Sequence, residues 1–177
     1  NEYDARYEFI DNDGPVFYFR NDLNAPCFQV IAIDTRKPER KHWRIVIPEV
    51  PKVLLEEVST VGGQMFCQYL RDAKTEVKCF DLSGKLLREV KLPGIGSAGG
   101  FGGHRTDTST FYSFTGFTEP GAIYRMDLKT GESTLWRKPE VKFDGAAFET
   151  KQIFYPSKDG TKVPMFIVHK KGLKLDG

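Results

Sequence analysis

Few residues of this chain are spaced for chemistry, and the first to test are the glycines of "GIGSAG", Gly94 to Gly99, which satisfy G-x-G-x-x-G. In a dinucleotide fold those glycines follow a strand and open a helix, whose N-terminus faces a pyrophosphate. An acidic residue about 20 positions on takes the ribose. Here the next residues are "GFGGHRTD", which carry no helical pattern. The stretch therefore reads as a flexible glycine-rich connection into a following strand. Ser97 has Ile95 rather than glycine two residues before it, so the nucleophile-elbow spacing G-x-S-x-G fails as well.

The histidines assemble no Ser, His and Asp constellation. His42 stands at the start of a strand beside Trp43, and His169 lies in a lysine-rich strand end; both read as solvated or packing side chains. His104, followed by Arg105, is the better candidate for contact with a ligand. Cys27, Cys67 and Cys79 lack the C-x-x-C spacing of zinc or redox sites and read as buried reduced thiols. No metal and no cofactor is expected.

The 177 residues are 40% apolar and 13% aromatic, enough for a real core. A net charge of +2, with the two signs interspersed, argues against nucleic acid as a partner, since such a domain shows a basic stripe. No run of 18 apolar residues exists, and "NEYDARYEF" lacks a signal pattern, so no membrane segment is expected. The missing initiator Met and the abrupt "LKLDG" suggest a piece of a longer chain.

Short alternating runs rich in Val, Ile, Phe, Tyr and Thr, broken by glycine turns, predict an all-β protein. The runs repeat. In "FQVIAIDT", "TEVKCFDLSG" and "GAIYRMDLKTG" the aspartates Asp34, Asp81 and Asp127 are 47 and 46 residues apart. An aromatic strand precedes each ("PVFYFRND", "QMFCQYLRD", "STFYSFTGF"). A strand running into Pro48, Pro93 or Pro139 follows each, the prolines being 45 and 46 apart. That is the period of a propeller blade, a four-stranded antiparallel sheet that buries both faces by stacking on its neighbours. Apolar residues at consecutive positions, as in Val30 to Ile33 and Val16 to Phe19, suit such two-sided burial. The aspartates are expected to cap the turn between third and fourth strands.

Three blades do not close a ring. A blade face of ~400 Å² left in water would cost on the order of 10 kcal/mol. Self-association through the open faces and edge strands is therefore expected.

The last stretch, "QIFYPSKDGTKVPMFIVHKKGLKLDG", departs from the blade rhythm and reads as a hairpin turning at Lys158, Asp159 and Gly160. It closely resembles the start of the hydrolase domain of the prolyl oligopeptidases, immediately after their seven-bladed propeller. The resemblance extends back through "FYSFTGFTEPGAIYRMDLKTGE" and "KHWRIVIPE", identifying the repeats with blades five to seven. It implies a partial β-propeller over residues 1–141, a linker over 142–150, and the first hairpin of an α/β-hydrolase domain over 151–177. It implies a cytoplasmic parent, a serine peptidase cleaving short proline-containing peptides after proline. The Ser, Asp and His triad would lie outside this chain, which should have no peptidase activity and no catalytic residue. The propeller would gate the active site, and first strands would line its channel. Arg6, Glu8, Glu56, Glu57, His104 and Arg105 are the channel-lining candidates. Two alternatives are a propeller serving only as a protein-interaction platform and the propeller of a dipeptidyl-type peptidase. The hairpin speaks against the first, because an interaction propeller would end by completing its last blade.

Overall fold

The computed structural model describes residues 4–174, and they form an all-β chain with no α-helix. Blade 1 comprises β1 (Tyr7–Asp13), β2 (Val16–Asn21), β3 (Gln29–Asp34) and β4 (Arg44–Ile47), paired in that order. Blade 2 repeats the order with β5 (Leu54–Val61), β6 (Gln64–Arg71), β7 (Lys74–Asp81) and β8 (Leu86–Glu89). Blade 3 comprises β9 (Gly96–Gly100), β10 (Ser109–Gly116), β11 (Ala122–Asp127) and β12 (Ser133–Arg137). All pairings are antiparallel, as the repeat predicts.

The repeating aspartates do what their turns require. Asp34 Oδ1 accepts from the Arg36 amide at 3.0 Å, and Asp81 Oδ1 accepts from the Ser83 and Lys85 amides at 2.9 and 3.0 Å. Asp127 Oδ1 accepts from Lys129 and Thr130 at 2.9 and 2.8 Å. Each carboxylate thus satisfies backbone donors that the tight connection leaves unpaired. Gly84 at φ +91° and Gly131 at φ +79° complete the second and third turns.

Two cores hold the stack. Tyr18, Val30, Ala32 and Val46 of blade 1 meet Leu55, Met65, Cys67 and Tyr69 of blade 2. Phe66, Val77 and Cys79 of blade 2 meet Tyr112, Phe114 and Met126 of blade 3. The middle blade is therefore apolar at every position of Met65–Cys67 in β6, all buried. At the end of the stack β10 alternates instead, with Thr110, Tyr112 and Phe114 buried and Phe111, Ser113 and Thr115 exposed. Aromatic rings run through the second core. Phe66, Phe101, Tyr112 and Tyr124 stack in series with centroids 5.4, 4.5 and 5.4 Å apart. On the outer face of blade 1, Phe9 packs with Phe17 and Phe19, and Ile45 is 57% exposed.

One expectation is corrected by the third blade. Most of "GIGSAG" is not a connection: Gly96–Gly100 is the strand β9, paired with Gly116 back to Tyr112 of β10. Glycine is there for space, since a Cβ on Gly96 would lie 2.1 Å from the Thr115 carbonyl oxygen. Among the thiols, Cys67 and Cys79 are buried and Cys27 only half-buried.

After β12 the chain makes a 3-10 turn at Gly145–Ala147, where the Asp144 side chain accepts from the Ala146 amide. β13 (Phe148–Pro156) and β14 (Lys162–Lys170) then pair along their whole length. The Ser157–Thr161 turn closes with Ser157 N–H donating to the Thr161 carbonyl at 2.8 Å, and Gly160 sits at φ +83°. β13 thus begins within the stretch read as linker.

Candidate functional site at the inner strands

The antiparallel order puts the turns of each blade on two opposite faces. One face carries the β1–β2, β5–β6 and β9–β10 connections. The other carries the β2–β3, β6–β7 and β10–β11 connections and the exit of β12. The β13–β14 hairpin sits on the second face, where Gln152 Nε2 donates to the Asp72 carbonyl at 2.6 Å. Phe166 packs on Phe117 there, with centroids 5.2 Å apart. Blades 1 and 3 meet past blade 2 where the segment after β9 reaches the end of β1, which makes β1, β5 and β9 the inner strands.

Four candidates collect at the hairpin end of those strands. Arg6 lies just before β1, its amide donating to Asp22 Oδ1 at 2.7 Å and its guanidinium 2.5 Å from Glu8 Oε1. The other oxygen of Glu8 accepts from Arg20 Nη1. Arg20 is the cationic centre of this end and is only 7% exposed. Its Nε donates to the Leu55 carbonyl of blade 2 at 2.7 Å, and its guanidinium lies 3.6 Å from the Phe28 ring centroid. Two of the inner strands bulge, β1 at Ile10, which is left without a partner on β2, and β5 two pairs farther from its turn at Glu56, which is left without one on β6. The bulge presents Glu56 and Glu57 as consecutive exposed carboxylates.

His104 and Arg105 lie at the opposite end. Neither belongs to a first strand, because β9 ends at Gly100 and both residues fall in the turn that follows. The His104 amide donates to Asp107 Oδ2 at 2.7 Å, and its carbonyl accepts from the Gly62 amide at 3.0 Å, which docks the turn on blade 2. Arg105 reaches farther, to blade 1. Its Nη1 donates to Asp13 Oδ1 at 2.7 Å, its Nη2 lies 3.5 Å from Asp11 Oδ2, and Nη2 also donates to the Asn12 carbonyl. The Asp13 contact holds the guanidinium above its ordinary pKa. The six candidates are thus two clusters at opposite ends of the inner strands, not one ring of side chains.

Sequence reasoning missed Asp11, Asp13 and Arg20. The aspartates sit in "DNDG", which carries an ordinary turn pattern. Arg20 had a usable signal, since it is a charge closing the apolar run Val16 to Phe19 in a strand expected to be buried.

Comparison with known proteins agrees with this architecture. Residues 1–139 match the family model described as prolyl oligopeptidase, N-terminal beta-propeller domain. The chain belongs to the prolyl oligopeptidase family. It is 41% identical over 175 residues to the prolyl endopeptidase of Elizabethkingia meningoseptica, covering 99% of this chain and 24% of that protein. It is 36% identical over 182 residues to the dual function macrocyclase-peptidase of Galerina marginata, covering 100% of this chain and 25% of that protein. The apo structure of Galerina marginata prolyl oligopeptidase B superposes with a TM-score of 0.90 at 36% identity, over 100% of this chain and 26% of that one. This chain therefore spans about a quarter of the length of its curated prolyl oligopeptidase relatives.

Proposed function

We propose that this chain supplies the closing blades of a propeller that gates a serine peptidase, admitting short proline-containing peptides to a hydrolase domain. The supporting observation is the order of parts: three stacked blades, then a separate hairpin seated on one face of the stack, in a chain of the prolyl oligopeptidase family. Gating by size rests on simple geometry, since a folded protein is wider than a channel lined by side chains and must unfold to thread it. In this proposal Arg6, Glu8, Glu56 and Glu57 face the catalytic side of the channel. His104 and Arg105 stand at its far mouth.

The test uses the full-length protein containing this segment, with alanine at each of the six positions, and compares cleavage of a long peptide with that of a dipeptide reporter. Altered size preference with retained reporter cleavage supports the gate. Six variants that all behave like the parent on both substrates overturn it.

For the 177-residue chain alone, we propose self-association through the outer faces of blades 1 and 3, where Ile45 is 57% and Trp136 62% exposed. Sedimentation showing a monomer across the micromolar range would refute this.

A further inference from the structure

We propose that Arg105 is an ionic brace that ties blade 3 to blade 1 across the far mouth and thereby sets the width of that mouth, a specificity-determining role that rests on the gate reading above. Three acceptors from one short stretch of blade 1 converge on the guanidinium: the Asp13 and Asp11 carboxylates and the Asn12 carbonyl. The contacts span 92 to 94 residues and bypass blade 2. The turn that carries Arg105 is itself fixed, by the His104 carbonyl on the Gly62 amide and by Ser59 Oγ donating to the Phe101 carbonyl at 3.1 Å. The blade 1 end is a hairpin tip, where Gly14 at φ +55° turns the chain with open space around it. The docked turn thus meets a tip that is open at Gly14 and is tied within its own blade by the Thr35 amide donating to the Pro15 carbonyl at 2.9 Å.

Arg105 is 44% exposed at its side chain, so the brace is a solvated ionic contact rather than a buried one. Such contacts are weakened by salt, the screening length falling from ~10 Å at 0.1 M to ~3 Å at 1 M. They add little to stability. That combination suits a contact that opens and closes in the folded state. Lysine cannot replace it fully, because the planar fork serves three acceptors at once.

Two measurements separate the brace from the gate. In this chain, with Cys27→Ser, spin labels on cysteines placed at Gly14 and Thr106 report the distance between the two elements. One narrow distribution is expected at 0.05 M salt, broadened at 1 M and broadened at any salt by Arg105→Ala. The charge swap Arg105→Asp with Asp13→Arg restores one of the three contacts and should narrow it part of the way. A distribution indifferent to salt and to Arg105→Ala overturns the brace and leaves the gate reading standing. In the full-length protein, Arg105→Ala should raise the ratio of long-peptide to dipeptide-reporter cleavage about fivefold with the reporter rate unchanged, and the swap should bring the ratio part of the way back. Broadened distances with an unchanged ratio overturn the brace's role in specificity, and the gate reading is then decided by the six-variant comparison above.

Discussion

Gly84, at the turn between β7 and β8 of blade 2, lies so close to Val46 of blade 1 that a Cβ at position 84 would stand 2.0 Å from the Val46 carbonyl oxygen. Gly131 of blade 3 meets blade 2 in a related way, its would-be Cβ 2.8 Å from the Arg88 side chain. The glycine closing each "D-L" turn is thus also the point where one sheet presses against the outermost strand of the sheet before it.

Replacing Gly84 by alanine is expected to destabilise the fold by at least about 2 kcal/mol, combining left-handed strain with a backbone clash that no rotamer relieves. Gly14→Ala shares the positive φ but meets no atom within 4 Å, and should cost only about 1 kcal/mol. Urea unfolding of the two variants side by side separates the steric part from the conformational one. Equal losses would show that blade contact contributes nothing at Gly84.

Arg20→Met should lower stability by about 2–3 kcal/mol, because it leaves the Leu55 carbonyl unpaired between two blades and strips Glu8 of its buried partner. Arg20→Lys keeps the charge but cannot reach both acceptors and lie over Phe28, so it should recover only part of the loss. Denaturant midpoints of the three proteins check the order.

Phe101 is fully buried between Phe66 and Tyr112, in the middle of the ring series that joins blades 2 and 3. Phe101→Ala is expected to cost about 3–5 kcal/mol, the range for an aromatic deleted from a closed core. Thermal unfolding should show a loss at least as large as that for Phe9→Ala on the exposed face of blade 1, and a smaller loss would contradict the packing described.

Thiol reactivity should follow burial. Removal from water pushes the Cys79 thiol up to about 11 and the Cys67 thiol upward as well, so neither forms thiolate near neutrality. At pH 8 iodoacetamide should modify Cys27 first in the native chain, and Cys67 and Cys79 only on unfolding. Mass spectrometry of the alkylated peptides gives the order directly.

The turn aspartates predict the acid limb of stability. The Arg36 guanidinium hydrogen-bonded to Asp34 holds its carboxyl at about 2, and the Ser157 hydroxyl does the same for Asp159. Both lie below the unfolded value near 3.8, so the folded chain binds fewer protons in between. Their stabilisation is complete above about pH 4 and is lost as pH falls toward 2. Urea midpoints should drop over that window, and the drop should shrink in Asp34→Asn with Asp159→Asn. An undiminished drop in the double variant would assign the acid limb to other groups.

The fold was legible because the turn chemistry repeats: three aspartates at blade spacing carry hydrogen bonds that any reader of "DLSG" and "DLKTG" can anticipate. The innermost strand of blade 3 was not, because glycines read as slack wherever the neighbouring backbone that forbids a side chain is invisible, as Thr115 is to Gly96. Arg105 lies beyond the end of β9, in a turn whose glycine-rich lead-in gives no sign of where the strand stops. Its partners lie more than 90 residues away in sequence, and no periodicity encodes a contact between sheets that are not neighbours. The bulges at Ile10 and Glu56 leave no mark in the sequence for a similar reason, since one extra residue shifts the alternation of an inner strand without any change of composition.

A stack held together by adjacent faces alone behaves as a one-dimensional chain whose end unit can peel away by itself. The Arg105 contact turns that line into a triangle. Because that third side is a solvated contact of little energetic weight, dissolving it in salt should let the two outer sheets swing independently at the far mouth well before any sheet detaches.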